Sequence, residues 1–202
     1  MKACGLVGSP INGGNVDRLV DRVLQGASSR GAIAGKLCLN DLSIQPCQSC
    51  GPRAQAGFCR FEDDMQQVYV ALKESDIIVL GSPVYFDTVS AQTKLMIDRC
   101  NCLTALVGAG EGTLRFEQYP TSRKAGILVA VGGVGQDFGP IRETVAGFFA
   151  WVNADFVASI LYAHDDNERG GVRMNREWMR RAFNAGVRIV TRAAARNPGS
   201  GA

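Results

Sequence analysis

The stretch "SDIIVLGSPVYF", Ser75–Phe86, decides the architecture. Ile77–Leu80 is an unbroken apolar run closed by Gly81. A half-buried strand alternates apolar and polar residues. A run without alternation is a strand covered on both faces, as in a parallel sheet. Helices are therefore expected on either side of it. Upstream, Met65, Val68 and Leu72 share one face of a segment over 63–73, with Asp63 and Asp64 at its positive end. Downstream, Ser90 is a suitable cap for a helix over 90–101.

Working outward, the same alternation repeats. Further strands are predicted at Ala3–Gly8, Gly35–Asn40, Lys124–Gly132 and Asp155–Tyr162. Val16, Leu19, Val20 and Val23 mark a helix after the first strand. Pro140 opens another helix that runs to Val152, and residues 174–193 form an amphipathic closing helix. This order predicts an α/β fold, a doubly wound five-stranded parallel sheet of order 2-1-3-4-5, in one domain over 1–202. Residues 103–123 show no periodicity and are too long for an ordinary connection, so they are expected to be a lid or interface loop. Residues 196–202 read as a frayed tail.

Composition narrows the function. The 202 residues are 46% hydrophobic and 20% charged, the balance of an ordinary globular chain. A net charge of +3 without a basic run interleaved with aromatics argues against nucleic acid. No apolar run is long enough to cross a bilayer. The start "MKACGLVGSP" reaches a Gly-Ser-Pro turn too soon for a signal peptide. A cytoplasmic location is expected, with the seven cysteines as reduced thiols or ligands.

Three strands end in loops of small residues: "GSPINGGN" at Gly8–Asn15, "GSPVYFDT" at Gly81–Thr88 and "GGVGQDFG" at Gly132–Gly139. In the predicted strand order their carboxyl ends are neighbours and form the crevice where such sheets bind ligands. The first loop lets backbone N–H groups approach an anion at a helix start, without a charged side chain between Gly8 and Asn15. It lacks the G-K-[ST] ending of a P-loop and is not G-x-G-x-x-G. The second loop adds the aromatics Tyr85 and Phe86. The third is nearly bare backbone. Phosphate cradle, aromatic wall and bare backbone together suit a flavin mononucleotide better than a nucleoside triphosphate.

With "GSPINGGN", "DDM" at Asp63–Met65, "SDIIVLGSPVYF" and "VSAQTKLMIDR" at Val89–Arg99, the chain resembles the flavodoxin-like NAD(P)H-dependent FMN reductases and iron-sulfur flavoproteins over about residues 1–160. The resemblance implies a flavodoxin-like fold and FMN bound by Ser9, Asn12, Gly14, Asn15 and Val16 at the phosphate. Ser82, Pro83, Val84, Tyr85 and Phe86 would follow along the phosphate, ribityl and ring, with Gly132 and Gly133 at the ring. Ile11 stands where many relatives carry a basic residue, which implies a weaker hold on the phosphate. The expected activity is electron transfer from NAD(P)H through FMN to a quinone, free flavin, metal or other small acceptor. The alternatives are an iron-sulfur flavoprotein, a flavodoxin-type carrier and a flavin-free regulatory domain. Carriers of that type are strongly acidic, which this chain is not. A homodimer or homotetramer is expected, with 103–123 supplying a second wall at the flavin edge. No side chain is singled out as acid, base or nucleophile, since the flavin carries the chemistry.

Cys47, Cys50 and Cys59 occupy the first, second and fourth positions of the iron-sulfur flavoprotein pattern, and Arg53 occupies the third. A cubane takes four thiolates, and a guanidinium has no lone pair for a metal. An ordinary four-cysteine cluster is therefore not expected. A three-cysteine cluster, a zinc site completed by His164 or another cysteine, and a metal-free loop with a reversible Cys47–Cys50 disulfide stay open. Cys4 and Cys38 read as core residues, and Cys100 and Cys102 as surface thiols. Asp98 and Arg99 are assigned to the sheet edge or a neighbouring subunit. His164 is placed in a loop, and Asp165, Asp166, Glu168 and Arg169 in a solvated one.

Overall fold

A computed structural model describes residues 1–50, 56–57, 59–119, 122–164 and 169–195. Position 53, the acidic residues of 165–168 and the 196–202 tail lie outside these described residues. In chain order the elements are β1 (Lys2–Val7), α1 (Asn15–Ser28), β2 (Ile33–Cys38), α2 (Met65–Glu74), β3 (Ile77–Tyr85), β4 (Thr88–Val89) and α3 (Ala91–Arg99). Then follow β5 (Thr104–Gly110), β6 (Thr113–Gln118), β7 (Lys124–Gly133), α4 (Gly139–Trp151), β8 (Ala154–His164) and α5 (Arg176–Ala194).

The main sheet runs β2-β1-β3-β7-β8, all parallel, which is the predicted 2-1-3-4-5 order. Its centre is the apolar run of β3, whose Ile77, Ile78, Val79 and Leu80 are all fully buried. Alternate residues feed opposite layers. Ile77 and Val79 join α1 and α5, and Ile78 and Leu80 join α2, α3 and α4. At the crossing of α1 and α5, a methyl on Gly26 would meet the Phe183 carbonyl oxygen at 2.0 Å, and one on Gly186 the Val23 carbonyl oxygen at 1.9 Å. Two backbones touch there, and glycine on both helices is what permits it.

Two expectations are corrected. First, β3 does not stop at Gly81. Pairing with β1 ends at Val7↔Gly81, while pairing with β7 continues to Pro83↔Val131. Beyond Gly81, β3 is an edge on its β1 side, where a sheet tolerates proline. The chain then reverses through Phe86 and Asp87, both at positive φ (50° and 62°), into β4. Second, the middle of 103–123 is a regular antiparallel hairpin, β5–β6, turning at Glu111–Gly112 with φ 49° and 76°. Small residues in β5 hide the alternation. Ala105 and Val107 face inward to Ala56 and Tyr119, whereas Leu106, Leu114 and Phe116 stay exposed. Thr104 Oγ1 donates to the Trp151 carbonyl at 2.7 Å, and Gln118 Nε2 to that of Ala150 at 2.9 Å. These bonds satisfy orphan carbonyls at the end of α4.

Candidate functional site

The carboxyl ends of β1, β3, β7 and β8 open on a cleft of about 510 Å³. Nine of the twelve residues expected at the flavin line it: Ser9, Gly14, Asn15, Val16, Pro83, Val84, Tyr85, Gly132 and Gly133. The structure does not bring the other three to it. Ser82 is fully buried and braces the site from behind. Its hydroxyl donates to the Pro83 carbonyl (2.8 Å) and accepts from the Ser90 N–H (2.9 Å). Ser90 caps α3 and donates to the Gly8 carbonyl at 2.6 Å, so loops one and two share one frame. Phe86 stands at the apex of the β3–β4 turn, wholly exposed, because positive φ there aims the chain into solvent. Asn12 is an exposed residue of the first loop.

The first loop is held from within. Ser9 Oγ accepts the Ile11 N–H (3.2 Å), the Asp17 carboxylate accepts the Gly13 N–H (2.8 Å), and Arg18 Nε donates to the Gly13 carbonyl (2.8 Å). Asn15 reaches across to the far end of the sheet. Its Oδ1 accepts the Val172 N–H at 3.0 Å, which turns Nδ2 toward His164 Nε2 at 3.2 Å. That geometry points the Asn15 amide N–H at Nε2. The imidazole stacks on Tyr162, with centroids 5.4 Å apart.

His164, Arg169 and Gly170 line the cleft as well. His164 ends β8 and is not in a loop, which corrects its expected place, while Arg169 is an exposed turn residue as expected. The overlooked signal is period two. His164 lies two residues beyond Tyr162, on the same face of a strand that runs further than expected.

The sequence matches the NADPH-dependent FMN reductase family over residues 1–168. The chain belongs to that family. Among this reductase's relatives, an iron-sulfur flavoprotein of Methanosarcina thermophila is 26% identical over 175 residues, covering 87% of this chain and 83% of the relative. One from Archaeoglobus fulgidus is 33% identical over 150 residues, or 73% of this chain and 60% of that protein. In three dimensions the reductase superposes on RosB, solved with bound 8-demethyl-8-formylriboflavin-5'-phosphate, with a TM-score of 0.73 at 15% identity, covering 99% of this chain and 81% of RosB. The fold is flavodoxin-like, and the chain is an FMN-dependent oxidoreductase that uses NAD(P)H.

The cleft's chemistry fits FMN. It offers the start of α1, uncharged hydroxyl and amide groups, an aromatic face at Tyr85, and open backbone at Gly133, where no atom lies within 4 Å of the missing Cβ. A larger cleft of about 600 Å³ lies between α3 and α4, lined by Cys47, Leu95, Phe148 and Trp151 among others, and no residue of the three sheet-edge loops lines it.

The cysteine segment is organised by Arg99, whose side chain is 1% exposed. Its guanidinium forks onto Asp63 and donates to the Gln45 carbonyl (2.8 Å) and to Cys59 Sγ (3.4 Å). Asp63 also accepts the Gln45 N–H at 2.9 Å. Arg99 thus pairs within the chain, and Asp98 pairs with Lys94, correcting their expected assignment. Cys100 and Cys102 are buried rather than surface thiols. Desolvation opposes ionisation of Cys59. The Phe61 backbone, Tyr69 and Arg99 outweigh it and hold the thiol below its ordinary pKa. Burial pushes the Cys4 thiol up to about 12 and that of Cys100 well above its ordinary value. A four-thiolate cluster does not fit this donor set. The segment has three thiols, Cys59 already accepts from a buried cation, and no described group of three His, Cys, Asp or Glu side chains could hold a metal ion.

Proposed function

We propose that the chain binds FMN in the sheet-edge cleft and passes electrons from NAD(P)H to a small diffusible acceptor of the quinone, free flavin or metal class. The observation that carries this reading is the convergence of four strand ends on one cleft, with a first loop of uncharged small residues and an aromatic wall. Bound flavin would supply the hydride and electron chemistry. The chain's own part is binding and orientation. Ser9, Gly14, Asn15 and Val16 would hold the phosphate at the positive end of α1. Pro83 and Val84 would flank the ribityl chain. Tyr85 would cover one side of the ring, and Gly132 and Gly133 would bring N–H groups to its edge. Ser82, by bracing Pro83 and Ser90, would act as a positioning residue. Asn12 and Phe86 keep the roles that the family resemblance implies only if the loops close on the ligand.

Self-association as a homodimer or homotetramer belongs to the same proposal. Tyr85 is 46% exposed and Phe86 fully so, which leaves the ring side of the cleft open to solvent. A second copy would provide the wall that orders a nicotinamide there.

The test is titration of apoprotein with FMN and with riboflavin, followed by flavin fluorescence, and then NAD(P)H oxidation with a quinone. One FMN per chain, bound at least tenfold tighter than riboflavin, is expected, with multiple turnovers. Unaltered flavin fluorescence at high protein concentration would refute the binding reading. Binding without steady-state turnover would favour a carrier.

A further inference from the structure

The first loop must hold a dianion, yet no residue from Gly8 to Asn15 carries a charge. The charged side chains nearest that loop in sequence are already engaged. The Asp17 carboxylate accepts the Gly13 N–H and pairs with Lys36. Arg18 is bonded to the Gly13 carbonyl. His164 Nε2 is already faced by the Asn15 side-chain amide. Among the described residues lining the cleft, Arg169 alone is permanently charged, and it forms no ion pair with another described residue.

Its position is fixed by its neighbour. Gly170 has φ +71°, and a methyl there would meet the Gly13 carbonyl oxygen and Arg18 Nε, each at 2.5 Å. Two residues later the Val172 N–H is anchored on Asn15. The described part of the connector before α5, from Arg169 on, thus packs against the first loop, with Arg169 at the cleft wall. The family match ends at residue 168, one position earlier.

We propose that Arg169 is a binding residue for the FMN phosphate, delivered by the β8–α5 connector to a loop that has no charge of its own. This rests on the reading that FMN lies with its phosphate on the first loop. A guanidinium pairs a phosphate through parallel N–H donors, and its hold weakens with salt. Gly170 and Val172, with Asn15 and His164, act as positioning residues that keep the connector in place.

The experiment compares FMN and riboflavin affinities by fluorescence quenching for wild type, Arg169→Gln, Arg169→Lys and the control Arg188→Gln, at two salt concentrations. Arg188 is exposed on α5 and removes the same charge away from the cleft. Arg169→Gln is expected to weaken FMN about tenfold, leave riboflavin within twofold, and flatten the salt dependence. Arg169→Lys should recover part of the loss, and Arg188→Gln should match wild type. If wild type prefers FMN and Arg169→Gln keeps both that preference and its salt dependence, the inference is overturned while the phosphate reading stands. If wild type shows no preference for FMN over riboflavin, both fall. A variant altered only in its KM for NADPH would assign Arg169 to the co-substrate, also overturning the proposal.

Discussion

At the scale of residues, the Arg99–Asp63 pair explains how a segment rich in glycine and cysteine is anchored. A planar fork suits this duty because one guanidinium can address a carboxylate, a carbonyl and a sulfur at once. Both members are nearly buried, so removal of one strands the other's charge. Desolvation opposes ionisation of Asp63. Arg99 and the N–H groups of Gln45 and Met65 overcome it and hold its pKa below the ordinary value. A carboxylate with a lower pKa folded than unfolded stabilises the fold fully above its unfolded value of about 3.9, and that contribution is lost as pH falls through the folded value. Asp63→Asn is therefore expected to cost ~3 kcal/mol at pH 7, with the gap to wild type closing as the pH is lowered through that window. Urea denaturation of both proteins from pH 7 to pH 3 measures it. A gap independent of pH would show that the pair is not the source of the stability. The same fork holds Cys59 toward thiolate, whereas the buried Cys4 and Cys100 are held as thiols.

At the scale of elements, what was legible in the sequence follows from how local the signal is. β3 and β7 are unbroken apolar runs, and such runs have few readings, so strand order and the sheet edge followed from them. The β5–β6 hairpin was illegible because Ala105, Gly108 and Gly110 leave the alternation too faint. Pro83 hid the end of β3, since its tolerance depends on where β1 stops, a fact of register rather than of sequence. Nine of the twelve residues expected at the flavin share one cleft because the loops that carry them follow strands directly. His164 and Arg169 were missed because the contacts that place this stretch, His164 with Asn15 and Gly170 with Gly13, join residues about 150 positions apart in sequence. The cysteine segment raises a question of the same kind. Three thiols in the iron-sulfur flavoprotein spacing are a remnant if position 53 is what removed the fourth ligand. The wild type is expected to contain no stoichiometric iron or acid-labile sulfide after anaerobic purification, and Arg53→Cys to gain both on reconstitution. Iron and sulfide in the wild type, lost in Cys47→Ala, would show instead that three thiols suffice.

At the scale of the whole molecule, the hairpin is the least reconciled part of the fold. Among the described residues its two strands pair only with each other, which leaves each with a free backbone edge there. On one face Leu106 lies opposite Phe116, with Leu114 beside them, and these three are 37%, 71% and 54% exposed. Its base is fastened to the end of α4 through Thr104 and Gln118, beside Trp151 and the α3–α4 cleft. A two-edged ribbon with one apolar face, held next to an apolar cleft, gains stability in water when another surface covers it. A second copy of the chain offers the same ribbon and cleft related by symmetry. Under the proposed self-association, light scattering at micromolar concentration should give a dimer or tetramer. Phe116→Asp should shift it toward monomer, because a carboxylate cannot be buried unpaired at such an interface. The same variant should still bind FMN, since residue 116 does not line the sheet-edge cleft. Its NAD(P)H oxidation should fall if the second copy orders the nicotinamide. A monomeric wild type would remove the interface, and a monomeric variant with undiminished turnover would show that assembly and catalysis are separate.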